Sequence, residues 1–227
     1  VKIAAAVLTF QAVTHDRVDL LLDTLDSLDE ADELLVVDNG STDGTQDLVH
    51  DLGGYTHPGP LTTSGHGTNL QARLLAATDA DICVLSDDDM VWRPGWADRL
   101  RQWWTHAPDD VALTGCHIEP LFPWNAVAAT VTFGDVPGLV RASTGAASWS
   151  YLAGHYETIF APVGIPQQVQ GHGDVPACDR VRQRGFRVCQ IDLAEHQGHE
   201  RSTWGNRTVE RYGWDVQPAL DLLKVAA

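Results

Sequence analysis

The sequence predicts an α/β domain built on a mostly parallel central sheet flanked by helices, and three observations carry that prediction. Three short apolar runs, Ile3 to Leu8, Leu34 to Val37 and Ile82 to Leu85, lack the polar alternation of a half-exposed strand. Each therefore fits a strand covered on both faces. Between the runs lie segments with apolar residues at helical spacing, and such alternation implies parallel pairing with right-handed crossovers. Each run also ends in polar residues: Thr9, Asp38, and Asp87 to Asp89. Ligands of such sheets bind beyond the carboxyl ends of the strands, so these residues are expected to converge on one crevice.

Taken in order, the first strand is followed by Val18, Leu21, Leu22, Leu25 and Leu28, which form one apolar helical stripe. The second strand runs into the turn-rich stretch Asp38 to Thr45, where two glycines permit positive φ and Ser41 or Asp43 can cap the helix expected over Gln46 to Leu52. A third helix is expected from Asn69 to Ala77, with Leu70, Leu74 and Leu75 inward. After the third strand, Trp92, Trp96, Trp103 and Trp104 are assigned to a helix and mainly to packing. From Pro120 to Gln170 the chain is rich in Ala, Ser, Gly and aromatics and reads as loops mixed with short strands and a helix. A helix returns at Val175 to Arg184, stopped by Gly185. Phe186 to Ile191 reads as a strand, and Val216 to Val225 as a short amphipathic helix.

The 227 residues carry 31 acidic and 15 basic side chains, for a formal charge of −16. Non-specific nucleic-acid binding runs on Lys and Arg neutralising phosphates, so a nucleic acid or an anionic membrane is a poor partner. Any phosphate ligand needs a local source of positive charge. Cys83, Cys116, Cys178 and Cys189 are widely spaced without a C-x-x-C pair, which argues against metal fingers and dense disulfide frameworks. Cys83, in an apolar run, reads as a buried small hydrophobe. The N-terminus has no basic region leading into an apolar core, and no run nears the roughly 18 apolar residues of a membrane span. The expectation is a cytoplasmic protein without a transmembrane segment.

Four patterns could carry chemistry. Asp87-Asp88-Asp89 places three mutually repelling carboxylates at a strand end. The triplet is either a solvated turn or a site for Mg2+ or Mn2+, held by one or two carboxylates plus substrate phosphates. Asp38-Asn39-Gly40-Ser41, one strand over, is a turn that could also contact a nucleotide. Asp174, after Gly171-His172-Gly173, is either a helix cap or a general base. His196 and His199 could share a metal site or be surface histidines.

Together and in this order the patterns resemble the family-2 glycosyltransferases of the GT-A fold, over roughly residues 1 to 205. Val7-Leu8-Thr9-Phe10 is similar to that family's opening strand, whose Thr-aromatic pair lies near the nucleobase. Val37 to Thr45 is similar to its Asp-rich turn, which gives Asp38 a nucleoside-binding role; Asn39 stands where many members have a second Asp. Gly67-Thr68-Asn69 resembles the segment in which Thr68 replaces a frequent Arg. Asp87-Asp88-Asp89 matches the DxD motif, with Asp89 the expected direct metal ligand and Asp87 on metal or ribose. Gly173-Asp174 followed by Cys178, Arg180, Arg182, Gly185, Phe186, Arg187 and Val188 resembles the acidic pair, helix and strand, with Gly173 in place of the usual Glu. Asp174 then corresponds to the catalytic base, and His196, with His199 as runner-up, to the late histidine of the metal or diphosphate site.

The resemblance implies transfer of a sugar from a nucleoside-diphosphate sugar to an acceptor hydroxyl. The donor would meet Thr9, Phe10, Asp38, Asn39, Asn69, Asp87 and Asp88. Mn2+ or Mg2+ would be held by Asp89, Asp87 and His196. Asp174 would act as base in a single displacement that inverts the anomeric carbon, with retention left open. The acceptor, a saccharide or small molecule, would lie among Trp149, Tyr151, His172 and His199, with Phe122, Trp124, His155 and Tyr156 as further lining. Residues 1–110 form the nucleotide-sugar-binding half, 111–205 the acceptor-binding and catalytic half, and 206–227 a C-terminal tail helix; a homodimer is compatible with this division. Two alternatives stand beside it. A sugar-phosphate nucleotidyltransferase would carry a Gly-rich, Arg-containing loop after the first strand, which Thr9 to Thr14 lacks. A non-catalytic sugar- or cation-binding module would explain the missing Glu and Arg.

Overall fold

Strand β1 (Ile3–Thr9) is buried at every position because both of its faces are covered. Ile3, Ala5 and Val7 join one apolar cluster, and Ala4, Ala6 and Leu8 join another. The computed structural model describes residues 1–57, 64–119, 121, 125–145, 147–160, 174–197 and 217–226. After β1 come α1 (Val18–Ser27), β2 (Glu33–Asp38), α2 (Thr45–Asp51), β3 (Tyr55–Thr56), α3 (Ser64–Leu75) and β4 (Ile82–Asp87). Next are β5 (Met90–Trp92), α4 (Trp96–His106), β6 (Val111–His117), β7 (Val127–Phe133), β8 (Val136–Arg141) and β9 (Ser148–Leu152). The chain continues with α5 (Tyr156–Phe160), α6 (Asp174–Gln183), β10 (Arg187–His196) and α7 (Gln217–Ala226).

The described strands form one sheet in the order β3-β2-β1-β4-β9-β6-β10-β8-β7, with β5 paired to β10. The portion β3-β2-β1-β4 is wholly parallel, as the alternating strand and helix patterns require. Beyond β4 the sheet is mixed, because β9 pairs antiparallel with both β4 and β6, and β8 with both β10 and β7. Strands β7 and β8 are joined by the tight turn Gly134-Asp135, where Gly134 takes φ 63°, a geometry that favours glycine. The region from Pro120 to Gln170 thus supplies short strands and a helix to the second half of the sheet.

Each face of the sheet has its own core. On one, Leu21 of α1 and Trp96, Leu100, Trp103 and Trp104 of α4 pack over the odd side of β1. On the other, Leu70 and Leu75 of α3, Phe160 of α5 and Val181 of α6 pack over the even side, together with Cys83. Cys83, Cys116, Cys178 and Cys189 are free, buried thiols. Helix α6 ends as its sequence requires: Gly185 adopts φ 87°, and Phe186 N–H donates to the Val181 carbonyl at 3.2 Å. Helix α7 seats Ala219 and Leu223 against Leu139 and Ile118.

One assignment requires correction. Trp92 is not helical but lies on β5, opposite Ala194 of β10, and the helix begins at Trp96. Pro94 between them cannot supply a backbone N–H, which favours a boundary at this point. Trp103, fully buried, stacks on Phe133 with ring centroids 4.5 Å apart and donates its indole N–H to Thr114 Oγ1 at 3.0 Å. Trp103→Ala removes both contacts and leaves a cavity, so a loss of about 3–5 kcal/mol is expected in urea denaturation.

Candidate functional site

The register of the parallel strands sets the site. Thr9 lies level with Asp38, and Leu8 beside Asp87, so the carboxyl ends of β1, β2 and β4 open at one edge. Strand β10 then returns to the same edge: His196 pairs with Met90, and Gln197 N–H donates to the Asp89 carbonyl at 2.8 Å. A histidine distant in sequence is thereby placed 3.5 Å, through Nε2, from Asp89 Oδ1. Burial, with the charges of His117 and Arg17, pushes the His196 imidazole down to about 3, so the ring is neutral and able to donate a lone pair. Burial also pushes Asp87 up to about 8, reinforced by the like charges of Asp89 and Asp88 and opposed by Arg17. Asp174 adds to the same repulsion, which brings the first residue of α6 within electrostatic reach of the acidic turn.

The three acidic residues do different work. Asp88 accepts from Thr9 Oγ1 at 2.6 Å and from Arg17 Nη1 at 2.9 Å, and it is 2% exposed. Burial nonetheless lifts its carboxyl to about 6, with Arg17 acting against the rise. Asp88 therefore braces β4 to β1 and offers no surface to a nucleotide, contrary to expectation. Thr9, with its hydroxyl given to Asp88 and only 1% exposure, is part of the same brace. Arg17, which also donates to the Phe10 carbonyl at 2.8 Å, was missed in the sequence. The signal for it was electrostatic: three carboxylates at one strand end require a nearby cation.

On the nucleotide side, Asp38 is fully buried and accepts from Ser41 N–H at 3.0 Å and from the Ser41 hydroxyl. Asn39 N–H donates to the Thr9 carbonyl at 2.9 Å, while Asn39 Oδ1 is buried without a hydrogen-bond partner among the described residues. A Cβ on Gly67 would meet Leu8 Cδ2 at 2.6 Å and Asn39 Oδ1 at 3.1 Å, so glycine is what lets α3 approach the strand ends here. Asn69, two residues on, is half-buried, as is Phe10.

The loop after β1 is held in a strained form, with Gln11 and Asp16 both at φ 52°. It is tied down by Gln11 N–H to Ser41 Oγ at 2.8 Å and by Thr14 N–H to Asp43 Oδ2 at 2.6 Å. Burial tends to raise the Asp43 carboxyl, but hydrogen bonds from Thr45 and Thr14 outweigh it and hold the group near 2. A depressed carboxylate stabilises the fold above its unfolded pKa and loses that contribution as pH falls through the folded value. Asp43→Ala is therefore expected to lower stability at pH 7 by on the order of 1 kcal/mol, after allowance for solvent screening. In urea titrations the gap from wild type should narrow between pH 4 and about 2.

On the opposite side, Asp174 opens α6 and accepts from Val175 N–H at 3.1 Å. Trp149 and Tyr151 do not line a cleft: both are fully buried on β9 within the second core, and the Trp149 indole donates to the Thr144 carbonyl at 3.3 Å. His155 and Tyr156 pack against Phe186 and Phe160. Phe122, Trp124, His172, Gly173 and His199 lie outside the described residues. Sequence reasoning missed Glu119 and His117, which follow and end β6; His117 Nδ1 lies 2.6 Å from Ser148 Oγ, and its ring centroid is 6.4 Å from that of His196.

Among the described residues, no group of three or more His, Cys, Asp or Glu is arranged as a protein cage for a metal ion. The donors present nonetheless fit a hard divalent cation of the Mg2+ or Mn2+ type, which takes one or two carboxylates and completes its shell with substrate phosphates and water. Asp87 and Asp89 would supply the one or two carboxylates and the neutral His196 an imidazole beside them, and Arg17 opposes the negative charge. No helix among the described residues is long and apolar enough to cross a membrane.

The sequence profile of glycosyl transferase family 2 matches residues 12–131. No curated protein matches the chain in sequence. Among solved structures, residues 1–349 of TarS from S. aureus superpose with a TM-score of 0.60 at 14% identity, covering 88% of this chain and 62% of TarS 1–349. Mannosyltransferase PcManGT from Pyrobaculum calidifontis, in complex with GDP-Man and Mn2+, superposes with a TM-score of 0.58 at 19% identity, covering 88% and 59%. GalNAc-T7 with UDP, GalNAc and Mn2+ gives 0.62 at 8% identity, covering 86% and 43%. At these identities the likeness is one of fold, and the chain spans about three-fifths of the length of the first two.

Proposed function

The chain belongs to glycosyl transferase family 2, and from that premise we propose that it transfers a glycosyl group from a nucleoside-diphosphate sugar to an acceptor hydroxyl, with a divalent cation and Asp174 as base. The observation that carries this reading is the convergence of Asp87, Asp89 and His196 at one strand edge with Asp174 in electrostatic reach. Three structural neighbours support it: PcManGT holds GDP-Man and Mn2+, GalNAc-T7 holds UDP, GalNAc and Mn2+, and TarS 1–349 is known with UDP-GlcNAc.

In this reading the nucleoside lies against Phe10, Asn39 and Asn69, with the buried Asp38 carboxylate holding the Ser41 turn behind them, over a floor that the Thr9–Asp88–Arg17 brace holds rigid. Asp87, Asp89 and His196 would hold the cation, which when bound neutralises the negative charge of the diphosphate leaving group. Asp174 accepts the proton of the acceptor hydroxyl, the hydroxyl oxygen bonds to the anomeric carbon, and the bond from that carbon to the diphosphate oxygen breaks. Attack from the face opposite the leaving group inverts the anomeric configuration. The partners are thus a sugar-nucleotide donor and a saccharide or small-molecule acceptor.

Ligand-dependent melting tests the donor half of this proposal. Ligands that bind only the native state raise its melting temperature, and at 100 times Kd the stabilisation is about 2.7 kcal/mol. UDP, GDP and dTDP are each added with Mn2+ or with EDTA. The expected result is stabilisation by at least one of them that disappears with EDTA.

A further inference from the structure

Beyond the end of β6, Glu119 carries a carboxylate that the mechanism above leaves unused. Its Oε1 accepts from Gly145 N–H and its Oε2 from Asn125 Nδ2 at 3.2 Å, while its own N–H donates to Gln190 Oε1 at 3.4 Å. His117 Nε2 stands 3.7 Å from Oε1. The Arg141 guanidinium, 1% exposed, lies close enough to favour the charged carboxylate against the burial that disfavours it, and its Nε donates to the Asn125 carbonyl at 2.7 Å. A carboxyl group that accepts from Gly145 and Asn125, with His117 and Arg141 flanking it, is fixed in direction, and its side chain remains 13% exposed.

What it faces is given by Gly145. A Cβ at that residue would run into Glu119 Oε1 and come within 3.6 Å of Asp174 Oδ2. The two carboxylates therefore look at one another across a backbone stripped of its side chain, one from the end of β6 and one from the start of α6. Burying a fixed carboxylate beside a second one is unfavourable for folding alone, since like charges at short range oppose ionisation of both. A ligand that donates hydrogen bonds to both removes that penalty, and a saccharide with neighbouring hydroxyl groups is the simplest such donor.

We propose that Glu119 is an acceptor-binding residue that pairs with Asp174 across Gly145, receiving a hydrogen bond from a hydroxyl adjacent to the one Asp174 deprotonates. This rests on the glycosyltransferase reading and adds to it a preference for polyol acceptors, namely saccharides with neighbouring hydroxyls. Arg141 and Asn125 hold the Glu119 carboxylate in place. Gly145 keeps the space between the two acids open.

The test uses the whole chain with Mn2+ and separates donor chemistry from acceptor use. Release of UDP or GDP from UDP-glucose, UDP-GlcNAc or GDP-mannose is measured with water alone and with methyl glycosides added as acceptor probes. Glu119→Gln is expected to keep Mn2+-dependent binding of the nucleoside diphosphate, and hydrolysis with water, within twofold of wild type. It should raise KM for the methyl glycoside at least tenfold. Because Glu119→Gln leaves Arg141 without its counter-charge, Glu119→Gln/Arg141→Met is made alongside; it should keep Mn2+-dependent binding of the nucleoside diphosphate, which reports a folded chain, and still fail to use the probe. Unchanged KM in Glu119→Gln, probe use restored in the double variant, or a wild type that binds nucleotide yet ignores every methyl glycoside would each overturn the assignment of Glu119. Absence of nucleotide binding by the wild type itself would instead overturn the glycosyltransferase reading.

Discussion

Asp174→Asn is expected to reduce glycosyl transfer by about 10²–10⁴-fold, the usual contribution of a general base, while nucleoside-diphosphate binding stays within a few-fold of wild type. The substitution keeps the size and hydrogen-bonding shape of the side chain at the start of α6, where Asp174 accepts from Val175 N–H, and removes only the capacity to take a proton. A helix-capping role alone would behave differently. Asn caps helices about as well as Asp, so a cap would lose neither stability nor activity. Parallel measurement of melting temperature, nucleotide affinity and turnover therefore separates the two roles of this residue. A loss of turnover with melting temperature preserved is the signature of the base.

Asp89→Ala has the second large effect. Asp89 shares the acidic turn with Asp87, which burial and like-charge repulsion push up to about 8, and His196 Nε2 stands 3.5 Å away. Removing Asp89 takes away a carboxylate donor and the partner of a neutral imidazole, so the cation has one fixed anionic ligand fewer before the diphosphate arrives. Loss of a group that stabilises developing charge lowers turnover by about 10²–10³-fold. The Mn2+-dependent rise in melting temperature with nucleoside diphosphate should vanish with it. Without nucleotide, the variant should be no less stable than wild type, because one source of carboxylate repulsion is gone. Treatment of the wild type with EDTA should reproduce the activity loss and be reversed by Mn2+.

The part of this design that was legible in the sequence is the part that parallel sheets make legible. Strands buried on both faces print continuous apolar runs, so β1, β2 and β4 and the residues at their ends could be read directly, and their register brings Thr9, Asp38 and Asp87 to one edge. The division of labour within the acidic triplet was not legible. Whether Asp88 faces a ligand or a brace depends on Arg17, which reaches it from the far side of a strained loop. Aromatic residues misled for a related reason. Ser148 to Leu152 is a short strand between two antiparallel neighbours, and nothing in its sequence distinguishes a tryptophan packed in a core from one lining a cleft. The strand β5 escaped notice because three residues carry no periodicity, and Trp92 was assigned to the helix that follows. Glu119 is the clearest case of a functional candidate without a local signal: its meaning comes from Gly145 and Asp174, which only the tertiary fold places beside it.

The central claim is that the strand-edge carboxylates serve a cation and a nucleoside diphosphate together. Isothermal titration of UDP, GDP and dTDP into the chain, each with Mn2+ and with EDTA, tests it most directly. The account predicts saturable, one-to-one binding of at least one nucleoside diphosphate that requires Mn2+ and is abolished by Asp89→Ala. Binding of none of them in the presence of Mn2+, or binding equally strong with EDTA and in Asp89→Ala, would contradict it.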